Sequence, residues 1–187
     1  MPPPTASFVY TGKNGYDEWG NPFIDGSKTF DIADDSGTVS LSTITFGAVG
    51  TATEDLSFTQ AGITELHASR QGVSLGTSAA ITVEASGATD LVVDLDQSWS
   101  WVGESVLVSI QAVDVFGNRA ADSSVVTLSS NAGLGVDVQA TLINGLSTAQ
   151  FRWDNAIWPD RLLAATGTGI DGDSAEIYVI DDCSSGG

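Results

Sequence analysis

The side chains in this sequence that could do chemistry are mostly carboxylates, and several of them stand in pairs. Asp171 and Asp173 flank a glycine in a predicted loop, while Asp94 and Asp96 are expected on one face of a predicted strand. Calcium prefers about six to eight oxygen ligands, and a carboxylate pair in a loop supplies about two or three. None of these pairs has the spacing of an EF-hand loop. A calcium site at these aspartates is one hypothesis, and a solvated acidic surface is the other.

Tryptophan is the second residue type that could carry a function, and the chain has five. Trp99 and Trp101 share one face of a predicted strand, and Trp158 precedes Pro159 in a predicted loop. A buried tryptophan fills a sandwich core, whereas an exposed one stacks on sugars or anchors a protein contact. Packing in the core or at the domain junction is the first interpretation of Trp99, Trp101 and Trp153, and Trp158 is expected to be exposed. The candidate ligand-binding residues are Trp99, Trp101 and Trp158.

Catalytic constellations are not indicated by the sequence. His67 is the single histidine and, in the alternation Leu66-His67-Ala68, it points away from the core. Cys183, the single cysteine, lies in the C-terminal tail, so neither a nucleophilic site nor a zinc or iron cluster is indicated. Paired carboxylates also hydrolyse glycosides, but nothing singles out such a pair here. We predict that the chain is not an enzyme and needs no cofactor, with calcium as the alternative.

The charge balance excludes several classes of partner. Twenty-four acidic residues stand against six basic ones, which gives a formal net charge of −18. Nucleic acid requires a basic surface, and an anionic membrane repels an acidic one. No apolar run approaches the roughly 18 residues of a membrane-spanning helix, and Met1–Pro4 does not begin a signal peptide. We expect no nucleic-acid partner and no membrane insertion in this segment.

The elements that position these residues are predicted to be strands. Val106–Asp114 alternates between apolar and polar residues, and Ala79–Val83 and Ala175–Val179 do the same. Alternation with a period of two is typical of a half-buried strand. Closely spaced glycines supply turns between these short strands, which is the pattern of a sandwich or barrel. The sequence therefore predicts an all-β protein.

An internal repeat divides the chain in two. Four short motifs recur in the same order with a spacing of about 96 residues, the size of one immunoglobulin-like domain. We predict two tandem immunoglobulin-like β-sandwich domains over residues 1–86 and 87–182, joined by a linker at 84–89 and followed by a flexible tail over 183–187. The four matches are Asp17–Asn21 with Asp114–Asn118, Ser36-Gly37 with Ala132-Gly133, Leu66–Ala68 with Leu162–Ala164, and Gly76–Val83 with Gly172–Val179.

The first of these motifs is predicted to be a turn between two strands. Aspartate and asparagine bind their own backbone, and glycine or asparagine accepts a positive φ. A structural role is therefore expected, with a metal or catalytic role for the aspartates as the alternative. The residues assigned to the turn are Asp17, Gly20, Asn21, Asp114, Gly117 and Asn118.

These motifs resemble those of a known family. Val113–Asn118, followed by Val126–Leu128 and then by Asn144–Ala149, is similar to the bacterial immunoglobulin-like domains of the invasin and intimin type. Tyr16–Pro22 with Asp25-Gly26 resembles the same motif in the first copy. The resemblance implies an immunoglobulin-like sandwich in a surface protein, where arrays of such domains hold a binding tip away from the cell.

The two copies differ at their starts. The second opens with the predicted strand Asp90–Asp96, whereas the first has Pro2–Tyr16 ahead of its turn motif, with one strand near Phe8–Tyr10. We therefore expect the first domain to lack its opening strand. A missing edge strand leaves backbone groups unpaired. Either the segment belongs to a longer array, or a neighbouring chain supplies the strand.

A structural role follows from these observations. We predict a non-catalytic tandem module of a secreted or cell-surface bacterial protein, which acts as a spacer or stalk and in adhesion. The expected partners are neighbouring immunoglobulin-like domains of the same or adjacent chains, and a host or glycan ligand. Two alternatives stay open: a carbohydrate- or protein-binding module that uses exposed tryptophans, and a filament subunit completed by a strand from a neighbour. Cys183 cannot form an intramolecular disulfide, so a free thiol and an intermolecular bridge both stay open.

Overall fold

The computed structural model describes residues 5–10, 29–45 and 52–181, with the backbone alone for 5–10 and 52–53. The regular elements among them are all β-strands, which confirms the predicted all-β fold. The chain divides into two compact units, Met1–Ala85 and Ser86–Gly187. No helix in the described ranges is long and apolar enough to cross a membrane. The predicted turn residues Asp17, Gly20 and Asn21, and the predicted tail with Cys183, lie outside the described residues.

The first unit consists of short strands in small sheets. One sheet has the order β3-β2-β6-β7, and two further pairs are β1-β4 and β5-β8. Its buried apolar residues form two groups, one of Phe30, Ile32, Ile44 and Ala68, the other of Leu56, Phe58 and Val83. The strands are β1 (Thr5–Tyr10), β2 (Thr29–Asp34), β3 (Thr43–Thr45), β4 (Ala52–Ser57), β5 (Gly62–Thr64), β6 (Leu66–Arg70), β7 (Val73–Thr77) and β8 (Ile81–Val83).

The second unit has longer strands, in sheets with the orders β14-β11-β9, β13-β12-β16-β17 and β10-β18-β15. Its strands are β9 (Asp90–Leu95), β10 (Trp99–Trp101), β11 (Ser105–Val113), β12 (Val125–Ser130), β13 (Val138–Thr141), β14 (Leu146–Arg152), β15 (Ile157–Asp160), β16 (Leu162–Thr166), β17 (Asp171–Asp173) and β18 (Ile177–Ile180).

One continuous core fills the second unit. Val106, Val108, Ile110 and Ala112 on β11 are all buried, on the face that the sequence alternation predicted. Burying a valine or isoleucine side chain stabilises the fold by about 1.5–3 kcal/mol, so this strand alone contributes several kcal/mol. The other strands complete the core with Leu91, Val93, Val126, Leu128, Phe151, Trp153, Leu162, Ala164, Ile177 and Val179.

The strand order of the second unit is that of an immunoglobulin-like sandwich. β9, β11 and β14 correspond to the A, B and E strands of one sheet. β13, β12, β16 and β17 correspond to the C′, C, F and G strands of the other. β10 pairs in parallel with β18, which continues the last strand beyond β17. The observed topology agrees with the predicted fold.

The first unit repeats part of this plan. Phe30 on β2 lies opposite Ile44 on β3, as Val126 on β12 lies opposite Ala140 on β13. β1 pairs with β4 as β11 pairs with β14. β11 also pairs with β9, whereas no counterpart of β9 lies beside β1 in the described part of the chain. The missing opening strand of the first unit stays a prediction.

The first unit buries an aspartate where two of its strands meet. Asp34 ends β2, and its carboxylate accepts hydrogen bonds from the amides of Thr38 (2.8 Å) and Val39 (3.0 Å). The hydroxyls of Ser36 and, at 3.5 Å, of Thr64 also donate to it. Burial raises the pKa of Asp34, but the hydrogen bonds outweigh burial and hold the pKa below its ordinary value. We call these five residues the first lock.

The second unit carries the same device with the carboxylate and the hydroxyl exchanged. Ser130 ends β12, just as Asp34 ends β2. Asp160 on β15 pairs with the first residue of β18, just as Thr64 on β5 pairs with the first residue of β8. The position that holds a carboxylate in one unit therefore holds a hydroxyl in the other.

Asp160 binds three parts of the second unit together. Its carboxylate accepts hydrogen bonds from the Ser130 hydroxyl, from the Trp153 indole N–H (2.7 Å) and from the Ala132 amide (3.1 Å). The Ser130 oxygen also accepts a hydrogen bond from the Leu134 amide at 3.1 Å. All partners of the buried carboxylate are thus donors, as its burial requires. We call these five residues the second lock.

Candidate functional site

The second unit exposes an aromatic face on the sheet β10-β18-β15. Trp99 and Trp101 on β10 lie opposite Tyr178 and Ile180 on β18, and Trp158 comes from β15 on the other side of β18. The residues that alternate with them on β10 and β18 are buried. We call Trp99, Trp101, Trp158, Tyr178 and Ile180 the aromatic face. The structure therefore brings together the three tryptophans that the sequence offered as a binding site.

These tryptophans are open to solvent to different degrees. The exposed fraction is 78% for Trp158, 51% for Trp99 and 39% for Trp101, while Trp153 is fully buried. Core packing is therefore wrong for Trp99 and Trp101. Ser100, the buried residue between them, points inward instead. Trp158 lies in β15 and not in the predicted loop, since Pro159 is tolerated in a strand at the edge of its sheet. Ligand binding by these residues stays a prediction.

The rings of the aromatic face meet at right angles. The ring centroids of Trp99 and Trp101 are 5.8 Å apart, with 88° between the planes. Those of Trp158 and Tyr178 are 5.2 Å apart, with 78° between the planes. Edge-to-face pairs of this kind are each worth about 0.5–1.5 kcal/mol beyond burial. Each of these contacts favours the observed arrangement of its two rings.

The second lock fixes the strand that carries Trp158. Asp160 ends β15, and its carboxylate is bound to the indole of Trp153 directly beneath the sheet. Trp153 packs edge to face on Phe151, with centroids 4.8 Å apart. The buried hydrogen bond between Trp153 and Asp160 thus ties β15, the strand that carries Trp158, to the core.

Acidic residues flank one end of the aromatic face. The amide of Glu104 donates a hydrogen bond to the carbonyl of Trp101 at 3.1 Å, and Asp181 directly follows Ile180, the strand partner of Trp101. Both carboxylates are exposed. At the opposite end, Glu176 precedes β18 and forms an ion pair with Arg161 at 3.3 Å. Two exposed carboxylates, Glu104 and Asp181, therefore follow the Trp101 end of β10 and β18.

Asp94, one of the predicted calcium ligands, is exposed on β9 opposite Ser109. It lines an open surface depression of about 580 Å³ on the outer side of the sheet β14-β11-β9. Gln111, Ile143 and Thr148 line the same depression. Asp94 therefore lies on a different sheet from the aromatic face.

Two of the other predicted calcium ligands, Asp96 and Asp173, bind protein groups. Asp96 follows the end of β9 instead of lying within the strand, and its carboxylate accepts a hydrogen bond from the Leu107 amide at 3.1 Å. Asp171 and Asp173 belong to β17 and not to the predicted loop, and Asp173 forms an ion pair with Arg161 at 3.0 Å. In residues 29–45 and 52–181, no group of three or more His, Cys, Asp or Glu side chains forms a metal site. Calcium binding stays a prediction.

The glycine between the last two aspartates explains why sequence reasoning placed them in a loop. A side chain on Gly172 would collide with the carbonyl oxygen of Leu91, so the glycine permits β17 to lie against β9.

The ion pair partners of Arg161, Asp173 first and Glu176 second, raise the pKa of its guanidinium above the ordinary value. Asp173 and Glu176, and not the pair Asp171 and Asp173, therefore bind this cation of the chain itself.

The predicted turn at Asp114 is seen in full. The carboxylate of Asp114 accepts hydrogen bonds from the amides of Phe116 and Asn118, both at 2.9 Å, and Gly117 has a φ of +82°. The second carboxylate oxygen of Asp114 accepts a hydrogen bond from the Ser86 amide at 3.1 Å. Burial raises the pKa of Asp114, and the hydrogen bonds from Asn118, Ser86 and Phe116 outweigh it and lower the pKa. Asp114 thus binds the first residue of the second unit to the turn.

A surface cluster at His67 was missed by sequence reasoning. The Nε2 atom of His67 is 2.7 Å from Asp35 Oδ1, and its Nδ1 atom is 3.2 Å from the Thr77 hydroxyl. The hydrogen bond from His67, followed by that from the Glu65 amide, lowers the pKa of Asp35. Pairing of β6 with β2 and β7 brings the cluster together. Its order, hydroxyl, imidazole and carboxylate, is that of a hydrolase triad, but the groups are exposed to water.

Comparison with known proteins gives structural neighbours alone, since no family model and no curated protein matches the chain. The adhesin FdeC of Escherichia coli is 18% identical at a TM-score of 0.49, over 95% of this chain and 59% of that one. The D0-D1 domain of intimin is 14% identical at a TM-score of 0.39, over 95% of this chain and 90% of that one. A glycosyl hydrolase family 2 member from Bacteroides cellulosilyticus is 13% identical at a TM-score of 0.45, over 93% and 28%.

The chain spans very different shares of these proteins, from most of the intimin fragment to about a quarter of the hydrolase. Adhesin and intimin structures, the type that the sequence motifs resemble, thus stand beside an enzyme among the matches. Identities and TM-scores of this size carry no activity, ligand or partner over to this chain. Its function has to be argued from its own residues.

Proposed function

We propose that the chain is a non-catalytic tandem immunoglobulin-like module of a secreted or cell-surface bacterial protein, which acts as a spacer and in adhesion. The aromatic face carries this proposal, because three tryptophans stay in the open on a sheet whose other side is buried. Contiguous exposed apolar patches on a folded protein mark interaction sites. A stiff unit that presents such a patch holds a partner away from the surface that carries the protein.

Charge and backbone contacts support the spacer role. A net charge of −18 keeps such modules soluble and prevents them from associating with one another. Ser86 binds Asp114 through both its amide and its hydroxyl, which shortens the free part of the predicted linker at 84–89. The expected partners remain further immunoglobulin-like domains along the array and a ligand at the aromatic face.

Attachment of protein-coated beads to cultured epithelial cells tests the adhesive role. Beads coated with the unaltered chain are expected to attach, and beads with the Trp101→Ala/Trp158→Ala variant to lose most of that attachment. Phe116→Ala is the matched control, because Phe116 is 39% exposed in the same unit but lies in the Asp114 turn. Equal attachment by all three proteins contradicts the proposal.

A carbohydrate-binding module is the first alternative, and the 78% exposure of Trp158 favours it. Exposed indoles stack on sugar rings, and stacking changes their fluorescence. Binding to a glycan array, together with sugar-dependent quenching of tryptophan emission that is lost in Trp158→Ala, would support this alternative. An array without binding would remove it.

A filament subunit completed by a neighbouring strand is the second alternative. The pairing of β1 favours it, because β1 has β4 on one side and no strand on the other within the described residues, unlike β11. An unpaired strand edge accepts a strand from another chain. Light scattering at rising protein concentration tests the alternative. It predicts polymers that fail to form when Thr5–Tyr10 is deleted, and a monomer at all concentrations contradicts it.

The cluster of Asp35, His67 and Thr77 provides the test of the non-catalytic part. Hydrolysis of an activated ester by the chain is expected to equal that of free imidazole at the same concentration. The His67→Ala variant is then expected to lose no more than this background. Turnover well above free imidazole, abolished by both His67→Ala and Thr77→Val, would show an esterase and contradict the proposal.

A further inference from the structure

The shape of the aromatic face selects among ligands. Two ring planes at 88° and two at 78° form corners, each bounded by two aromatic surfaces. A sugar ring stacks best on one flat and open indole face. A compact cation gains from several ring surfaces at once, because each ring attracts positive charge within about 6 Å of its centroid. The corners therefore fit an ammonium or guanidinium group better than a flat ring.

The charges around the aromatic face also favour ammonium and guanidinium groups. Glu104 and Asp181 stand at the Trp101 end, and neither forms an ion pair with another described residue. The net charge of −18 adds a negative field over the whole surface. Such a field repels phosphates, sulfated sugars and acidic proteins, and it raises the local concentration of cations. Ring geometry and charge thus point to one class of ligand.

We infer that the aromatic face binds a basic segment of a partner protein, with a lysine or arginine side chain held against the tryptophans and a second one near Glu104 and Asp181. This inference rests on the proposed adhesive role and names the partner of that same face. The acidic flank attracts the segment and the rings hold it. A membrane is the less favoured source of a cationic group, because the phosphate of a choline headgroup meets the same acidic flank.

Calorimetric titration with synthetic peptides tests the inference. A lysine-rich peptide is expected to bind the unaltered chain at physiological ionic strength, and its glutamine-substituted counterpart is not. Trp101→Ala/Trp158→Ala is expected to weaken binding by about tenfold or more, since two ring contacts are lost. Glu104→Gln/Asp181→Asn is expected to weaken it by about threefold and to lower the association rate. Phe116→Ala is expected to bind as the unaltered chain does.

Folding of each variant is checked by far-ultraviolet circular dichroism and by its melting temperature. The altered side chains are at least partly exposed, so the far-ultraviolet spectrum is expected to stay unchanged and the melting temperature to fall only slightly. Equal binding of the lysine peptide by the tryptophan variant and the unaltered chain overturns the inference, because charge alone then explains the binding. Binding of neutral oligosaccharides or of phosphatidylcholine vesicles in place of the peptide overturns it as well.

The bead assay separates failure of this inference from failure of the proposed function. If attachment to cells depends on Trp101 and Trp158 while the lysine peptide does not bind, the basic partner is wrong and the adhesive face stands. If attachment does not depend on the two tryptophans, the adhesive face itself is wrong. If both depend on them, and excess lysine peptide prevents attachment, both proposals are supported.

Discussion

The two units bury the same polar device with its parts exchanged. The first unit places the carboxylate at the end of a strand, as Asp34, and the hydroxyl across from it, as Thr64. The second unit places the hydroxyl at the strand end, as Ser130, and the carboxylate across from it, as Asp160. Both units share a buried carboxylate that is surrounded by hydrogen-bond donors. They do not share the sequence position that supplies this carboxylate. Buried polar groups demand partners, so either arrangement satisfies the site.

The exchange changes what each lock holds. Asp34 binds its own following turn, through Ser36, Thr38 and Val39. Asp160 instead reaches the indole of Trp153 at the end of β14 and therefore binds distant segments. The first lock binds a turn and the Thr64 hydroxyl on β5, whereas the second lock also binds Trp153 and so ties the sheet that carries the aromatic face to the core. Four predictions test this difference, in order of expected effect.

Trp153→Ala is expected to have the largest effect, a loss of about 3–5 kcal/mol in the free energy of unfolding. The change leaves a cavity and also removes a donor from the buried Asp160. Phe58→Ala in the first unit is the matched control, because Phe58 fills a core without a polar partner on its ring. Hydrogen exchange read by mass spectrometry during urea unfolding follows each unit separately. A larger loss from Phe58→Ala than from Trp153→Ala would contradict the ranking.

Asp160→Thr is expected to cost about 2–3 kcal/mol, since the donors of Trp153 and Ala132 lose their acceptor. Adding Ser130→Asp rebuilds the arrangement of the first lock, and about half of the loss should return. The coupling between the two changes is measured with a double-mutant cycle of urea unfolding. Ser129→Asp is the control, since Ser129 lies next to Ser130 and is not buried. A double variant no better than Asp160→Thr breaks the comparison.

Acid is expected to lower the free energy of unfolding of both units, because a hydrogen-bonded aspartate carboxylate becomes protonated in each. Hydrogen bonds hold the pKa values of Asp34 and Asp114 below the ordinary value of an aspartate in the folded chain. The contribution of each carboxylate to the free energy of unfolding is therefore complete above its pKa in the unfolded chain. It is lost as the pH falls through the lower pKa of the folded chain. Each removes up to about 1.4 kcal/mol per pH unit in that window. Melting temperatures should stay level near neutral pH and fall below about pH 4. Asp34→Asn should reduce this fall in the first unit alone, and an unchanged fall there contradicts it.

Trp158→Ala is expected to have the smallest effect on stability, about 1 kcal/mol or less, because it removes one exposed edge-to-face pair. Trp158 is 78% exposed and packs on Tyr178 alone among the aromatic residues of the face. The same change is expected to impair attachment, so stability and binding separate at this residue. A loss of stability comparable to that of Trp153→Ala would show that the aromatic face is part of the core.

The fold could be predicted from the sequence wherever a pattern is local. Alternation over Val106–Asp114 predicted the buried face of β11 correctly, whereas the domain bounds that the motif repeat indicates stay a prediction. The direction of Trp99 and Trp101 could not be obtained in this way, because a period of two defines two faces without saying which is inside. Ser100, fully buried between them, was the available signal, since a small residue suits a crowded inner position.

The candidate site was harder to predict because it depends on contacts between distant segments. The alternation over Ala175–Val179 puts Tyr178 on the outer face of its strand, but nothing local shows that Trp158 lies beside it. Asp160 was missed because the repeat aligns it with a threonine, so the exchange hides the shared role. Asp35 and His67 are likewise joined by strand pairing alone.

The parallel pairing of β10 with β18 has a mechanical consequence for a protein that bears load. Val93 and Ser174 form a further parallel bridge between an early and a late strand of the second unit. When tension pulls such a unit from its two ends, parallel terminal strands slide along each other, and their hydrogen bonds resist in shear all at once. Antiparallel terminal strands would instead peel apart one bond at a time. A tether built from units of this kind yields late and abruptly under force.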